Sequence, residues 1–408
     1  MHGDPGWRST GGAAGTVAAR RPAGYPRGMT DTAQLLRTPF HAYHLEKGGK
    51  MVPFAGWEMP LHYGSILDEH HQVRTSGGIF DVSHMGRFMI SGRDAQPFLD
   101  RICTRQVYGM KDGQARYSIV CNESGGCHDD VLVYKIEDGS YMMVCNASNR
   151  EKLVGHIDAV KAAGDFVFKF EDFTTKSAMI ALQGPKVIEA ISAFTSSVTD
   201  MKRYHFVRKS LLGLEMFISR TGYTGEDGVE VIFRTDSIAA KAAMKLFLGK
   251  LDDIDVIKPA GLGARDSLRL EAAMALYGNE ITEELDPVSA GIMFAIRINK
   301  GEKNPEAGRF IGQDALQKIH TDGPKRSLVG LTLDGRRAAR QDMHVFAPGG
   351  EAAIGTVTSG CFSPTLERSI AMAYVDADLK AAGTAVEVDL GRTRIAATVT
   401  DLPFYKPG

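Results

Sequence analysis

The chain has 408 residues, too many for one compact core and enough for two or three domains. Its 43% hydrophobic and 24% charged residues are ordinary for a globular protein, and a formal net charge of −1 offers no bulk attraction for nucleic acid or an anionic membrane. No apolar run nears the ~20 residues that a bilayer-spanning helix needs.

Residues 1–28 are rich in Gly, Ala and Arg and contain a single acid. They lack the apolar core of a secretory signal, and their glycines and prolines oppose the amphipathic helix of a mitochondrial transit peptide. A disordered extension is expected, preceding a start at Met29. The five cysteines, Cys103, Cys121, Cys127, Cys145 and Cys361, form no CxxC pair. Their odd number fits reduced thiols in a cytosol-like compartment, and Cys121, Cys127 and His128 match no common zinc spacing.

From residue 86 onward strands and helices alternate irregularly. GRFMISG, ARYSIVCN, VLVYKI, YMMVCNA, FVFKF, SAMIALQG, LEMFISR and VEVIF have strand character. DAQPFLDRIC, REKLVGHIDAVKAAG, PKVIEAISAF, DSIAAKAAMKLFLGKL and ARDSLRLEAAMAL have helical spacing. Residues 256–261 and 301–308 are candidate linkers. Beyond about Lys325 the segments SLVGLTL, AAIGTVTSG, IAMAYV, AVEVDL and IAATVT are nearly all strand. The pattern predicts an α+β body followed by a small all-β domain.

Chemistry concentrates in three stretches. In CNESGGCHDDVLVY, residues 121–134, a Gly-Gly turn leads into a strand. Side chains alternate there, so Asp130, Leu132 and Tyr134 share one face and Asp129, Val131 and Val133 the other. On the residues alone the plainer reading is a hairpin whose aspartates bond the turn backbone. In SRTGYTGEDGVEVIF, residues 219–233, two glycine turns bracket Tyr223 ahead of a strand carrying Glu230; a half-exposed strand with Glu230 in water is the plain alternative. In PAGLGARDSLRLEAAMALYGNE, residues 259–280, Arg265 and Arg269 lie one helical turn apart, with solvation the default for both.

Together these stretches resemble the aminomethyltransferase, or T-protein, family of the glycine cleavage system. The matching blocks are GGKMVPFAGWEMPLHY, FDVSHMG, CNESGGCHDDVLVYK, ALQGP, SRTGYTGEDGVE, PAGLGARDSLRLEA, LYGNEI, TSGCFSPTL and PFYK, running in family order from Thr38 to the C-terminus. The resemblance implies a three-domain cloverleaf around a central folate cavity, with two α+β domains and a C-terminal β-barrel or jelly-roll-like domain. The domains expected are 29–85 with 172–265, 86–171 with 266–310, and 311–408.

The family's reaction moves the one-carbon unit of an aminomethyl group, carried on the lipoyl arm of the H-protein, to tetrahydrofolate. Ammonia, 5,10-methylenetetrahydrofolate and the reduced dihydrolipoyl carrier result, with no metal required. Matched onto these motifs, Asp130 is the expected acid/base at the N5/N10 edge of the folate, and Glu230 the two-pronged acceptor for the pterin donors. Tyr117, Tyr134, Tyr204 and Tyr223 are expected to pack on or bond the folate, and Met85 to line the cavity. Arg265 is expected to pair with a site carboxylate or the folate's acidic tail, and Tyr405 joins the set from the terminal block.

The implied partners are the lipoylated H-protein, glycine decarboxylase and dihydrolipoyl dehydrogenase, with a cytoplasmic monomer as the default. A mitochondrial matrix location is the alternative were residues 1–28 a transit peptide. Where many relatives carry an aliphatic pair, this chain has Cys127-His128, and His128 is expected to cap the turn in solvent rather than bias Asp130. Superfamily members that maintain iron–sulfur proteins carry a Lys-Gly-Cys-Tyr-type signature, whereas this chain reads LYGNE. A folate-dependent demethylase of similar length stays open as an alternative.

Overall fold

The computed structural model describes residues 34–407 apart from 193–194 and 212–213. The extension expected over residues 1–28 lies outside the described residues. Six strands form one sheet, in the spatial order Phe206–Leu211, Leu214–Ser219, Gly228–Arg234, Ser177–Gln183, Gly78–Asp81 and Lys258–Pro259. Five form a second, in the order Ala115–Cys121, Cys127–Glu137, Ser140–Cys145, Gly86–Ser91 and Lys169–Asp172. Leu36–Arg37, Trp57–His62 and Lys50–Phe54 make a small third sheet.

The two large sheets pack against each other. Phe80, Met179, Ala181 and Ile232 of the six-stranded sheet meet Tyr134, Met142 and Val144 of the five-stranded one in a shared core. Ser177–Gln183 is buried at all seven positions, which explains why SAMIALQ is apolar without alternation. The outer face of the six-stranded sheet packs with helices Val187–Ser192 and Ile238–Asp252, and that of the five-stranded sheet with Ala95–Ile102 and Arg150–Ala163.

The last quarter is a closed six-stranded barrel, in the order Arg326–Leu333, Arg368–Asp376, Ala353–Ser363, His344–Phe346, Ala385–Asp389 and Arg394–Thr400, the last strand pairing back to the first. Closure leaves no free sheet edge. The α+β body and the all-β C-terminal barrel are therefore both present.

Three local expectations are corrected. The helix expected through Leu276 spans Leu262–Glu271 and ends where Ala273 takes φ 53° and the Met274 N–H reaches back to the Arg269 carbonyl at 2.9 Å. That six-to-one bond closes the helix in a left-handed turn. Arg269 is buried rather than solvated, held 2.9 Å from Glu280 and 2.8 Å from Ser359. The candidate linker at 256–261 is a structural element: Lys258-Pro259 pairs in parallel with Gly78-Ile79, and Ile257 and Ala260 are buried.

Candidate active site

The Gly-Gly turn is built by Asn122. Its Oδ1 accepts from the Ser124 and Gly126 N–H groups, each at 3.0 Å, while its Nδ2 donates to the Glu283 carbonyl at 2.9 Å. Gly125 sits at φ 87°, and a Cβ on Gly126 would fall 1.8 Å from the Glu283 oxygen. The two glycines thus serve different needs, one left-handed backbone and one close approach. With the turn satisfied by Asn122, both aspartates are released to the strand that follows.

Asp129 faces the interior and is 0% exposed. It accepts from the Asn146 N–H at 2.9 Å, Asn146 Nδ2 at 2.8 Å and Asn149 Nδ2 at 2.6 Å. Asp130 lies on the opposite, half-buried face with Leu132, as the alternation predicts. Its Oδ2 accepts from the Tyr117 hydroxyl at 3.1 Å and its Oδ1 from Asn146 Nδ2 at 2.7 Å. One amide therefore ties together two carboxyls that pleating separates.

Burial lifts the Asp130 carboxyl to about 6, against the opposing pull of the Tyr117 and Asn146 hydrogen bonds. Burial, then the nearby Asp130 charge, also raises Asp129 above the ordinary carboxylate range. Asn146 had no signal of its own in CNASN; only the pairing of Val131 with Cys145 brings it to the aspartates.

Glu230 enters from the other sheet. Flanked by Ser219 and Ala181 on adjacent strands, it is 5% exposed, so the reading of a solvated strand position does not hold. The Thr221 hydroxyl donates to its Oε2 at 2.5 Å. Burial raises its carboxyl, opposed by Thr221 and by the charge of Arg265. Ser219 bonds Thr221 at 2.6 Å and donates to the Tyr134 hydroxyl at 3.4 Å, which brings Tyr134 to the same cluster from the core. Tyr204, at φ 59° and 45% exposed, feels the Glu230 charge as well.

Tyr223 sits against Arg265, whose charge acts on Glu230. The Arg265 guanidinium lies 4.9 Å from its ring centre, the charge of Asp130 also acts on it, and its hydroxyl donates to the Ala275 carbonyl at 2.6 Å. The Tyr117 ring stacks on Phe294 at 5.6 Å and 22°, and Phe294 is 60% exposed. Phe294 gave no sequence signal. Met85 packs at the margin of the core shared by the two sheets, with Leu132 and Tyr134.

Two residues fall elsewhere. Tyr405 lies under the Arg74 guanidinium at 4.1 Å, and its N–H donates to the Glu271 carbonyl. His128 does not cap the turn: its Nδ1 is 2.7 Å from Glu283, and its ring lies 4.8 Å from that of His156. A cleft of about 280 Å³ between residues 278–289 and the barrel is lined by Asn279, Asp286, Arg326, Gln341 and Tyr374 and contains none of the candidate side chains.

Residues 40–300 match the family described as the GCVT N-terminal domain, and residues 326–406 the glycine cleavage T-protein C-terminal barrel domain. An aminomethyltransferase of Rubrobacter xylanophilus is 43% identical over 373 residues, covering 91% of this chain and 95% of that protein. One of Bacillus pumilus is 41% identical over 375 residues, covering 91% and 99%. The crystal structure of the glycine cleavage system aminomethyltransferase T of Bartonella henselae superposes with a TM-score of 0.83 at 32% identity, covering 92% of this chain and 99% of that one. On sequence and fold together, this chain belongs to the glycine cleavage T-protein family of aminomethyltransferases.

Proposed function

We propose that this chain transfers the methylene carbon of an aminomethyl group, borne on the lipoyl arm of an H-protein, to tetrahydrofolate with release of ammonia. The observation that carries the reading is a pair of acids contributed by different sheets, Asp130 and Glu230, joined by an aromatic and cationic wall of Tyr117, Tyr223 and Arg265. A reduced pterin presents parallel N–H donors at one end and its reacting N5/N10 edge at the other. Glu230 suits the donor end because a buried carboxylate offers two acceptor oxygens. Asp130 suits the reacting edge because a carboxyl lifted to about 6 exchanges protons near neutrality.

Tetrahydrofolate supplies the nucleophilic nitrogen as co-substrate. Two carbon–nitrogen bonds to the folate replace the carbon's bonds to the amine and to the lipoyl sulfur, which leaves as the dihydrolipoyl thiol. Asp130 takes up a proton that the attacking nitrogen sheds, while Tyr117 and Asn146 hold the carboxylate in place. The leaving amine needs a proton rather than a Lewis acid, so the scheme uses no metal. Met85 and Tyr204 complete the walls, Tyr134 backs Ser219 from the core, and Tyr405 braces the neighbouring barrel junction.

We assign the lipoylated H-protein as donor, glycine decarboxylase and dihydrolipoyl dehydrogenase as partners in the same cycle, and the cytoplasm as the site of action for a monomer. The free thiols of all five cysteines fit a reducing compartment. The test supplies aminomethyl-loaded H-protein with and without tetrahydrofolate and measures ammonia. Folate-dependent ammonia release is expected; turnover only of a free N-methyl amine would favour a demethylase instead.

A further inference from the structure

A chain of direct contacts runs from Asp130 out to solvent and ends on a cation. The Tyr117 hydroxyl donates to Asp130 at 3.1 Å, the Tyr117 ring stacks on Phe294 at 5.6 Å, and the Phe294 carbonyl accepts from Nη1 of Arg105. Arg105 is held there from behind. Its N–H donates to the Ser118 hydroxyl at 2.9 Å, one residue past Tyr117, and the hydroxyl of the preceding Thr104 donates to the Ala295 carbonyl at 2.8 Å. Residues 104–105 and 294–295 are thus tied together along Ala115–Cys121, the edge strand of its sheet.

One carbonyl occupies only part of the Arg105 guanidinium, and no carboxylate lies within ion-pair distance of it among the described residues. Arg116, on the same edge strand, is likewise bonded to a carbonyl, that of Gln106. Burial, and then the like charge of Arg105, work against its ionised form. Phe294 is 60% exposed, so the contact chain reaches water at this point. An unpaired cation beside an exposed ring suits an anion carried on a flat aromatic group.

We propose that Arg105 binds the carboxylates of the glutamyl tail of tetrahydrofolate. This rests on the tetrahydrofolate reading above and adds to it the residue that recognises the acidic end of the molecule. With N5 and N10 at Asp130, the ligand continues through one aminobenzoyl ring before its glutamate begins. The Tyr117 and Phe294 rings cover a comparable interval on the protein side, which brings the tail level with the guanidinium. The planar fork then meets a carboxylate through two parallel hydrogen bonds.

The experiment titrates the full chain by calorimetry with tetrahydrofolate and with tetrahydropteroate, which keeps both ring systems and lacks the glutamate. The wild-type chain is expected to bind tetrahydrofolate about fivefold more tightly, and added salt should narrow that gap because the ion pair is partly exposed. Arg105→Ala should bind the two ligands alike, with its affinity for tetrahydropteroate unchanged. Should that variant not fold, Arg105→Gln keeps a donor for the Phe294 carbonyl, removes the charge and makes the same comparison. Equal wild-type affinities would overturn the inference and leave the folate reading intact. So would a loss in the variants that falls equally on both ligands, the mark of a disturbed Phe294 loop. A defect confined to the KM for the aminomethyl-loaded donor protein would give the cation to that partner and overturn the inference too. Binding of neither ligand by the wild-type chain would overturn both readings.

Discussion

Asp129 and Asp130 are neighbours in sequence, and their surroundings give them different work. Asp129 accepts from two asparagines inside the fold, and Asp130 meets a phenol on an accessible face. Asp130→Asn should therefore lower kcat by about 10²–10⁴-fold, since it removes the proton acceptor at the reacting edge. Asp129→Asn should instead cost about 2 kcal/mol in a urea titration, because its amide would confront donors already buried. Equal turnover losses with equal stabilities would refute this division. The Tyr117 hydrogen bond favours the ionised form of Asp130. A proton acceptor must be ionised, so the acid limb of kcat/KM should lie near pH 6, with activity rising as pH rises. Tyr117→Phe should move that limb to higher pH, which a pH–rate profile reads directly. Glu230→Gln replaces one acceptor oxygen by a donor and should weaken tetrahydrofolate binding by about 1–3 kcal/mol in calorimetry.

At the scale of the element, the hairpin Ala115–Cys121 to Cys127–Glu137 carries the catalytic acid and is pinned from outside. Cys127 N–H donates to the Thr282 carbonyl at 2.7 Å, and the Glu283 carbonyl occupies the space that a Gly126 side chain would need. Gly126→Ala would push the turn off residues 282–283, and the strand with it. A loss of about 2–4 kcal/mol is expected by thermal denaturation, with reduced turnover in whatever remains folded. Wild-type stability in that variant would show that the turn has room to shift.

Across the whole molecule, Glu271 joins the parts. It is buried, and accepts from Arg74 of the helix Ile66–Thr75 at 2.9 Å, from the Thr365 N–H and hydroxyl, and from the Ser363 hydroxyl of the barrel. His70 lies 3.2 Å away, and the C-terminal segment bonds the Glu271 carbonyl through Tyr405. Burial by itself would raise this carboxyl, yet the hydrogen bonds from His70, Ser363 and Thr365 hold it down at about 2. A depressed carboxyl adds stability that is complete above its unfolded value and is lost as pH falls through the folded one. Its share should therefore persist down to about pH 4 and vanish towards pH 2. Glu271→Gln should cost about 3 kcal/mol at pH 7, because Arg74 keeps its buried charge with one partner fewer. The cost should shrink on acidification, and a pH-independent difference between the two proteins would show that charge is not what joins these parts.

The sequence by itself determined the periodicities, the α+β body with its all-β tail, and the facing of Asp130 against Asp129, because strand alternation is local and depends on no distant partner. Motif order pointed to the family for the same reason: each block is contiguous in the chain. Only the tertiary structure decided that Glu230 and Arg269 are buried, that Asn122 frees the aspartates from the turn, that Asn146 bridges the two aspartates, and that Phe294 stacks on Tyr117. Burial and hydrogen-bond partnership are set by which strands and loops meet across long stretches of chain, as when Glu283 closes over Gly126, and no local pattern records those meetings.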